Sequence, residues 1–193
     1  EIFTNSISNS KFYTESVLQS AVMMINSLSN ELNILRPQML QGGLQVIDHN
    51  NNRKNYNLRL FEFGKTYSTG PENNYTETNH LSFYSSGNIT DQDWSSKAVK
   101  TDYFYLKAVV ENTLSLLGIN RALFEPANVT GFKNYTEVKI NNKVIAFLGE
   151  ADEATMKQFD LKIPVFYADI LWDELLTLAK ENHIQYREVS KFP

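Results

Sequence analysis

One stretch of alternating side chains constrains this chain more than any other feature. Residues 57–67 read NLRLFEFGKTY, so that Phe61, Phe63 and Tyr67 point to one side while Leu58, Leu60 and Glu62 point to the other. A turn signal, Thr69-Gly70-Pro71, follows, and residues 80–84 supply a second apolar run. The pattern predicts two neighbouring antiparallel strands.

Hairpin and capping signals extend the same prediction. Asn141-Asn142, which tolerates positive φ, separates predicted strands at 137–140 and 143–148. Asp102 precedes an i, i+3, i+4, i+7 apolar pattern that ends at Gly118, which predicts a long helix. Further predicted strands lie at 1–7, 21–25 and 164–170, further helices start at Pro37, Asp152 and Trp172, and a polar loop spans 88–100. Strands paired through hairpins with helices between them indicate an α+β fold, an antiparallel sheet flanked by helices.

Composition excludes several classes of function. The 193 residues include no cysteine, which removes disulfides, thiolate metal sites and cysteine nucleophiles. No apolar run reaches the roughly 20 residues that cross a bilayer, so we expect no membrane span. The net charge of −4 is unlike that of a domain that grips a phosphate backbone alone. His49, His80 and His183 have no partner at metal-ligand spacing, so no metal site and no cofactor site is predicted.

Glu62 is the most informative single residue, because it interrupts a strongly apolar strand. A buried carboxylate requires a partner, since its desolvation alone is expensive. One interpretation is a structural ion pair with a nearby cation, for which Arg36 is a candidate. The other is a ligand-facing acid in a site floored by the sheet.

Three consecutive aromatic residues, Tyr103, Phe104 and Tyr105, open the predicted long helix. They cannot all face one core. At least one is expected to be exposed or to lie in an interface with a protein partner.

Several blocks, taken in order, resemble the bacterial phenylalanyl-tRNA synthetase β chain family in its synthetase-like core. The first is Leu28-Ser29-Asn30-Glu31-Leu32 followed by Leu35-Arg36-Pro37 with Met39-Leu40, and the second is Leu60-Phe61-Glu62-Phe63-Gly64-Lys65-Thr66-Tyr67. Later blocks are Asp102-Tyr103-Phe104-Tyr105-Leu106-Lys107, Leu148-Gly149-Glu150 and Phe159-Asp160-Leu161-Lys162. Glu1-Ile2-Phe3-Thr4 resembles the strand that opens the core, and residues 187–193 resemble the lead into a following domain.

The resemblance implies a degenerate class II aminoacyl-tRNA synthetase-like fold over residues 1–193, as one domain of a longer β chain. It also implies a cytoplasmic α2β2 enzyme that uses ATP and Mg²⁺ to charge tRNA-Phe, in which the α chain carries the chemistry. In catalytic class II chains, an arginine that clamps the ATP α-phosphate follows the strand equivalent to 60–64. Here Tyr67-Ser68-Thr69-Gly70 stands at that place, and the later glycine-rich segment ending in arginine is also missing.

Without those cations the charge that develops at the α-phosphate has no fixed stabiliser, so the fragment is predicted to be catalytically inert. It would then be a scaffold that supports the α chain, with no catalytic or cofactor-binding residue of its own. The alternative is a small-molecule sensor built on an inactive class II fold, with a pocket near Glu62. An independent enzyme of unrelated chemistry is a third hypothesis, which the missing motifs do not support.

Overall fold

A computed structural model of the chain describes residues 1–27, 29, 31–70 and 74–181. The motif residues Leu28 and Asn30, His183, and the segment 187–193 lie outside the described residues. The strands are β1 (Ile7–Ser8), β2 (Ile34–Leu35), β3 (Leu58–Thr69), β4 (Tyr75–Ser86), β5 (Asn88–Thr90), β6 (Val99–Lys100), β7 (Leu123–Pro126), β8 (Phe132–Ile140), β9 (Lys143–Ala151) and β10 (Val165–Leu171). The helices are α1 (Glu15–Leu18), α2 (Leu40–Asn51), α3 (Tyr103–Leu116), α4 (Glu153–Gln158) and α5 (Trp172–Glu181).

A six-stranded sheet organises the described residues. Its order is β3-β4-β10-β9-β8-β7, and each neighbouring pair is antiparallel. Two short pairs, β1 with β2 and β5 with β6, lie outside it. The predicted α+β class, an antiparallel sheet flanked by helices, is confirmed.

Each face of the sheet carries its own apolar core. Leu106, Val110 and Leu114 of helix α3 pack on one face together with Leu175 of helix α5. Leu40, Leu44 and Ile47 of helix α2 pack on the other face, where Met156 of helix α4 joins the edge of the cluster. The strands therefore bury the side chains that point to either face of the sheet. A polar residue in the middle of the sheet has no direct access to water.

The predicted hairpins form because the local sequence and the sheet agree. β3 and β4 pair from Leu58 with Ser86 to Thr69 with Tyr75. In the β8–β9 hairpin, Asn141 and Asn142 adopt φ of 50° and 63°, the left-handed values for which that turn selects asparagine.

The predicted caps also form. The Asp102 carboxylate accepts the Tyr105 N–H at 2.7 Å, and Gly118 ends the helical segment with φ of 75°. The Asp152 carboxylate accepts the Thr155 N–H at 2.8 Å at the start of helix α4. Each cap satisfies a backbone N–H that the first turn of its helix cannot pair internally.

Four predictions were wrong in position or kind. Residues 1–7 and 21–25 are not strands, apart from the start of β1 at Ile7 and an isolated bridge at Met23. Helix α2 begins at Leu40 and not at Pro37, and part of the predicted 88–100 loop pairs as β5 and β6. The predictions for residues 1–7 and 21–25 rested on their apolar residues alone, yet Phe3 and Ile25 are exposed. Tertiary placement, which local propensity does not contain, decides such short segments.

No helix among the described residues combines the length and apolar character required to cross a membrane.

Candidate functional site: the carboxylate row

Two carboxylates lie in one cross-strand row on the sheet face that helix α2 covers. Glu62 of β3 is opposite Ser82 of β4, and Ser82 is opposite Asp169 of β10. Glu62 is 1% exposed and Asp169 is 2% exposed. Two acidic side chains buried this deeply require partners, and the chemistry of this face depends on what those partners are.

Arg36 is the partner of Glu62, as the sequence suggested. Its Nη1 lies 2.9 Å from Glu62 Oε1, and its Nε donates to the Lys65 carbonyl at 2.7 Å. Thr4 completes the shell, since its N–H donates to Glu62 Oε1 at 3.1 Å and its hydroxyl lies 2.9 Å from both carboxylate oxygens. The structure thus favours the ion-pair interpretation of Glu62 over a ligand-facing acid, because every part of this carboxylate is already bonded.

Asp169 is held differently, and the sequence analysis missed it. The Ser82 hydroxyl donates to Asp169 Oδ1 at 2.9 Å, and His80 Nδ1 lies 2.9 Å from Asp169 Oδ2. The other ring nitrogen of His80 lies 2.8 Å from the Thr66 hydroxyl. A usable signal was present: Asp169 interrupts the apolar strand VFYADIL in the same way that Glu62 interrupts β3.

Two tyrosines fill the space between the carboxylate row and helix α2. The Tyr84 and Tyr167 rings are both buried, with centroids 5.1 Å apart, and the Tyr84 hydroxyl donates to the Met39 carbonyl at 2.8 Å. Burial raises the pKa of both phenols well above the usual value, and the negative charges of Glu62 and Asp169 add to the shift at Tyr84. Their hydroxyls therefore act as neutral donors throughout the physiological range.

Helix α2 lies close to these rings because of its glycine pair. A Cβ placed on Gly43 would come within 2.0 Å of Tyr84 Cε1, far inside contact distance. The absence of a side chain at Gly43 is what allows helix α2 to approach the Tyr84 ring this closely. The sheet face beneath helix α2 is thus occupied by protein side chains.

A second aromatic group continues this face toward β8. Tyr135 stacks on Phe147 with a centroid distance of 5.4 Å, and Phe147 lies 5.9 Å from the Tyr167 ring. Burial, together with Glu137 and Asp169, raises the pKa of the Tyr135 phenol to about 12. The Tyr135 phenol therefore stays neutral in the folded chain at physiological pH.

Metal ligation finds no support in this arrangement. Within the described residues, no group of three or more histidine, aspartate or glutamate side chains is placed to hold a metal ion. His80, the histidine nearest the row, is used by Asp169 and Thr66.

The three consecutive aromatics separate as the sequence required. Phe104 is 73% exposed, whereas Tyr103 and Tyr105 are half-buried. Tyr103 donates its hydroxyl to Thr136 Oγ1 at 2.7 Å, and Tyr105 borders a small cleft of about 130 Å³ with Phe61 and Phe83. Phe104 is therefore the member of the three that is free to meet another molecule.

Comparisons with known proteins place this geometry in a family. The model of the phenylalanyl tRNA synthetase beta chain CLM domain matches residues 1–172. The phenylalanine–tRNA ligase beta subunit of Bacteroides fragilis is 34% identical over 207 residues, which cover 100% of this chain and 25% of that protein. The corresponding subunit of Porphyromonas gingivalis is 31% identical with the same coverage. The chain thus spans about a quarter of the length of these curated relatives.

Solved structures establish the fold independently of sequence. Pyrrolysyl-tRNA synthetase from Desulfitobacterium hafniense superposes with a TM-score of 0.71 at 13% identity, over 94% of this chain and 63% of that one. A second structure of that synthetase gives a TM-score of 0.69 at 16% identity, over 98% and 66%. The predicted class II synthetase-like fold is confirmed, and the chain belongs to the family of the phenylalanyl-tRNA synthetase beta chain CLM domain.

Proposed function

We propose that this chain is a non-catalytic core domain of a phenylalanine–tRNA ligase β subunit, and that it packs against and supports the catalytic α subunit. In the assembled cytoplasmic enzyme of two α and two β chains, the α subunit binds ATP with Mg²⁺, activates phenylalanine and charges tRNA-Phe. The domain contributes rigidity and an interface.

The observation that carries this proposal is that the Arg36 guanidinium is already bonded within the chain. Adenylate formation places negative charge on the α-phosphate, and a fixed cation must stabilise it. Arg36 is 4% exposed, and its guanidinium is bonded to Glu62, Thr4 and the Lys65 carbonyl. It cannot turn toward a phosphate without leaving Glu62 as an unpaired buried charge.

The end of β3 supports the same conclusion. Where the catalytic relatives carry an arginine, this strand continues as Tyr67-Ser68-Thr69, none of which is cationic. Tyr84 and Tyr167 also fill the face beneath helix α2, and Asp169 adds negative charge beside Tyr167. An ATP molecule would meet rings in place of space, and Arg36 on this face is already paired with Glu62.

The exposure of Phe104 supports an interface role for the three consecutive aromatic residues, 103–105. Phe104 exposes a large apolar ring beside Tyr103, with ring centroids 5.6 Å apart. Aromatic side chains are enriched in the buried centre of protein–protein interfaces. We place Phe104 in the contact with a partner protein chain, with Tyr103 and Tyr105 fixing its position.

Light scattering after size exclusion tests the proposal. This chain is mixed with the α chain of the same organism, and a co-eluting complex of defined mass is the expected result. The experiment is repeated with the complete β subunit, which contains this chain. If that subunit and the α chain also elute separately, the proposal is contradicted. So would phenylalanine-dependent ATP–pyrophosphate exchange by the chain alone.

The sensor hypothesis predicts a different result. Calorimetric titration of the isolated chain with phenylalanine or ATP would then show saturable binding that Glu62→Ala abolishes. Under the scaffold proposal, Glu62→Ala lowers stability or weakens the interface, while adenylate formation in the assembled enzyme persists.

A further inference from the structure

A cleft of about 480 Å³ lies at the end of the six-stranded sheet where β3 and β10 begin and β4 ends. The loop before β3, the turn between β4 and β5, the short strand β6 and the loop before β10 form its walls. Its volume is within the range of sites that hold small molecules, about 300 to 1,000 Å³.

Hydrogen bonds between the walls hold this cleft in shape. The Asn57 side-chain carbonyl accepts the Asn88 N–H at 2.8 Å, which joins the loop before β3 to the start of β5. The Gly87 carbonyl accepts the Thr101 N–H at 2.9 Å, which joins the turn after β4 to the end of β6. A site whose walls are already joined loses little conformational freedom when it binds a ligand.

The charged residues of the lining are all cations. Lys100 and Lys162 line the cleft, and both side chains are exposed to solvent. No aspartate or glutamate belongs to the lining, and neither lysine forms a salt bridge within the part of the chain that the structure describes. Lysines elsewhere do pair with glutamates, namely Lys65, Lys107, Lys133, Lys139 and Lys143. A cleft lined by one sign of charge concentrates ligands of the opposite sign.

Two acids lie close to the cleft along the chain without lining it. Asp91 accepts the side-chain amides of Asn57 at 2.6 Å and of Asn88 at 3.2 Å. Asp102 accepts the Tyr105 N–H at 2.7 Å as the cap of helix α3. Both carboxylates therefore have donors within the chain, and the two lysines are left for a ligand.

The rest of the lining supplies apolar surface. Tyr56 and Pro164 are exposed, Ile163 is half-buried, and Phe166 is buried at the start of β10. An aromatic or apolar group held between these side chains would remove part of their surface from water.

We propose that this cleft binds a phosphate monoester on an aromatic or apolar body. The ammonium groups of Lys100 and Lys162 donate to the phosphate oxygens, and Tyr56, Ile163 and Pro164 contact the body of the ligand. A phosphate monoester suits two lysines better than a carboxylate does, because it carries close to two negative charges and has three terminal oxygens.

Probes of equal shape and different charge provide the test. The ¹⁵N-labelled chain is titrated at about pH 8 and low salt with phenyl phosphate, a dianion well above its second pKa of about 6, and separately with phenyl sulfate, a monoanion. Phenyl phosphate should shift the backbone resonances of Asn88, Lys100 and Thr101 with a Kd of about 1 mM, as expected for a fragment of this size. Phenyl sulfate should bind at least about fivefold more weakly, because one of its two charges is missing.

Inorganic phosphate tests the apolar walls, since it supplies the anion without the ring. It should bind at least about tenfold more weakly than phenyl phosphate. Equal binding of phenyl phosphate and phenyl sulfate, equal binding of phenyl phosphate and inorganic phosphate, or no shift at these residues would each overturn the proposal.

Three matched variants test the two lysines. Lys100→Gln and Lys162→Gln should each weaken phenyl phosphate at least about threefold, because each removes one of the two cations. Lys11→Gln changes the net charge by the same amount outside the cleft and should weaken it less than about twofold. All three side chains are exposed, so the variants should fold as the wild type does. Equal losses in the three variants would show attraction by net charge alone and would overturn the assignment.

A second arm separates two sources of a phosphate monoester. An RNA tetranucleotide is titrated with and without a 5′-phosphate. If the phosphorylated RNA binds at least about tenfold tighter than phenyl phosphate, the cleft serves the end of a nucleic acid, and otherwise it serves a free phosphate ester. If both RNAs bind equally and more tightly than phenyl phosphate, the site recognises phosphodiesters and the proposal fails. These results do not depend on whether the chain binds an α subunit.

Discussion

The two carboxylates of the sheet are equally buried and differently neutralised. Glu62 faces a permanent cation, Arg36, with further donors from Thr4. Asp169, two strands away, is bonded to a hydroxyl and to a histidine, both of which can reorganise. The same residue chemistry at the same depth thus gives a fixed ion pair at one site and an adaptable hydrogen-bond network at the other.

This difference separates two roles within one row. An arginine does not lose its proton at accessible pH, so Arg36 remains a cation that ties β3 to the chain preceding helix α2. Ser82 and His80 can change rotamer or tautomer, so the Asp169 site tolerates replacement of its charge. The fold depends more on the first site than on the second.

Removal of Arg36 should have the largest effect. Arg36→Met leaves Glu62 buried without its cation and is expected to lower the free energy of unfolding by about 3–5 kcal/mol. Urea denaturation measures the loss. The double variant Arg36→Met/Glu62→Leu should recover at least half of it, since no unpaired charge remains. A single-variant loss below about 1 kcal/mol would contradict the assignment of this pair as structural.

Charge removal at the two carboxylates gives the direct comparison. Asp169→Asn should cost about 1–2 kcal/mol, because the amide still accepts from Ser82 and can donate to His80. Glu62→Gln should cost more, since it leaves the Arg36 guanidinium unpaired at low exposure. Both values come from the same urea experiment. Equal losses would show that the two sites are not different in kind.

A residue of the carboxylate row can be predicted from the sequence only where the neighbouring residues show that it is buried and which group can pair with it. Glu62 and Arg36 are predictable, because a carboxylate in an alternating apolar strand requires a cation and few are near. Asp169 carries the same signal in β10, yet its partners His80 and Ser82 come from another strand, and only register brings them together.

Alkaline pH should reveal the tyrosines that pack against the row. Their phenols keep their protons in the folded chain above pH 10, whereas the unfolded chain loses them, so stability falls as the pH rises above about 10. Each such group contributes about 1.4 kcal/mol per pH unit to this slope. Tyr84→Phe should remove one contribution, as measured by urea denaturation between pH 9 and pH 11, about one unit on each side of the usual tyrosine pKa. An unchanged slope would show that Tyr84 ionises in the folded state.

The smallest effect on stability is expected at Phe104, which lies outside both carboxylate sites. Phe104→Ser should change the free energy of unfolding by no more than about 0.5 kcal/mol, because its ring is largely exposed. It should nevertheless weaken assembly with an α chain at least about tenfold, if its ring enters the interface. Tyr103→Phe is the matched control on the same helix turn, since it removes the bond to Thr136 but keeps the ring beside Phe104, so it should lower stability without weakening assembly. If Phe104→Ser leaves assembly unchanged while Tyr103→Phe weakens it, the Phe104 ring is not buried on assembly. The interface would then not include the exposed face of helix α3.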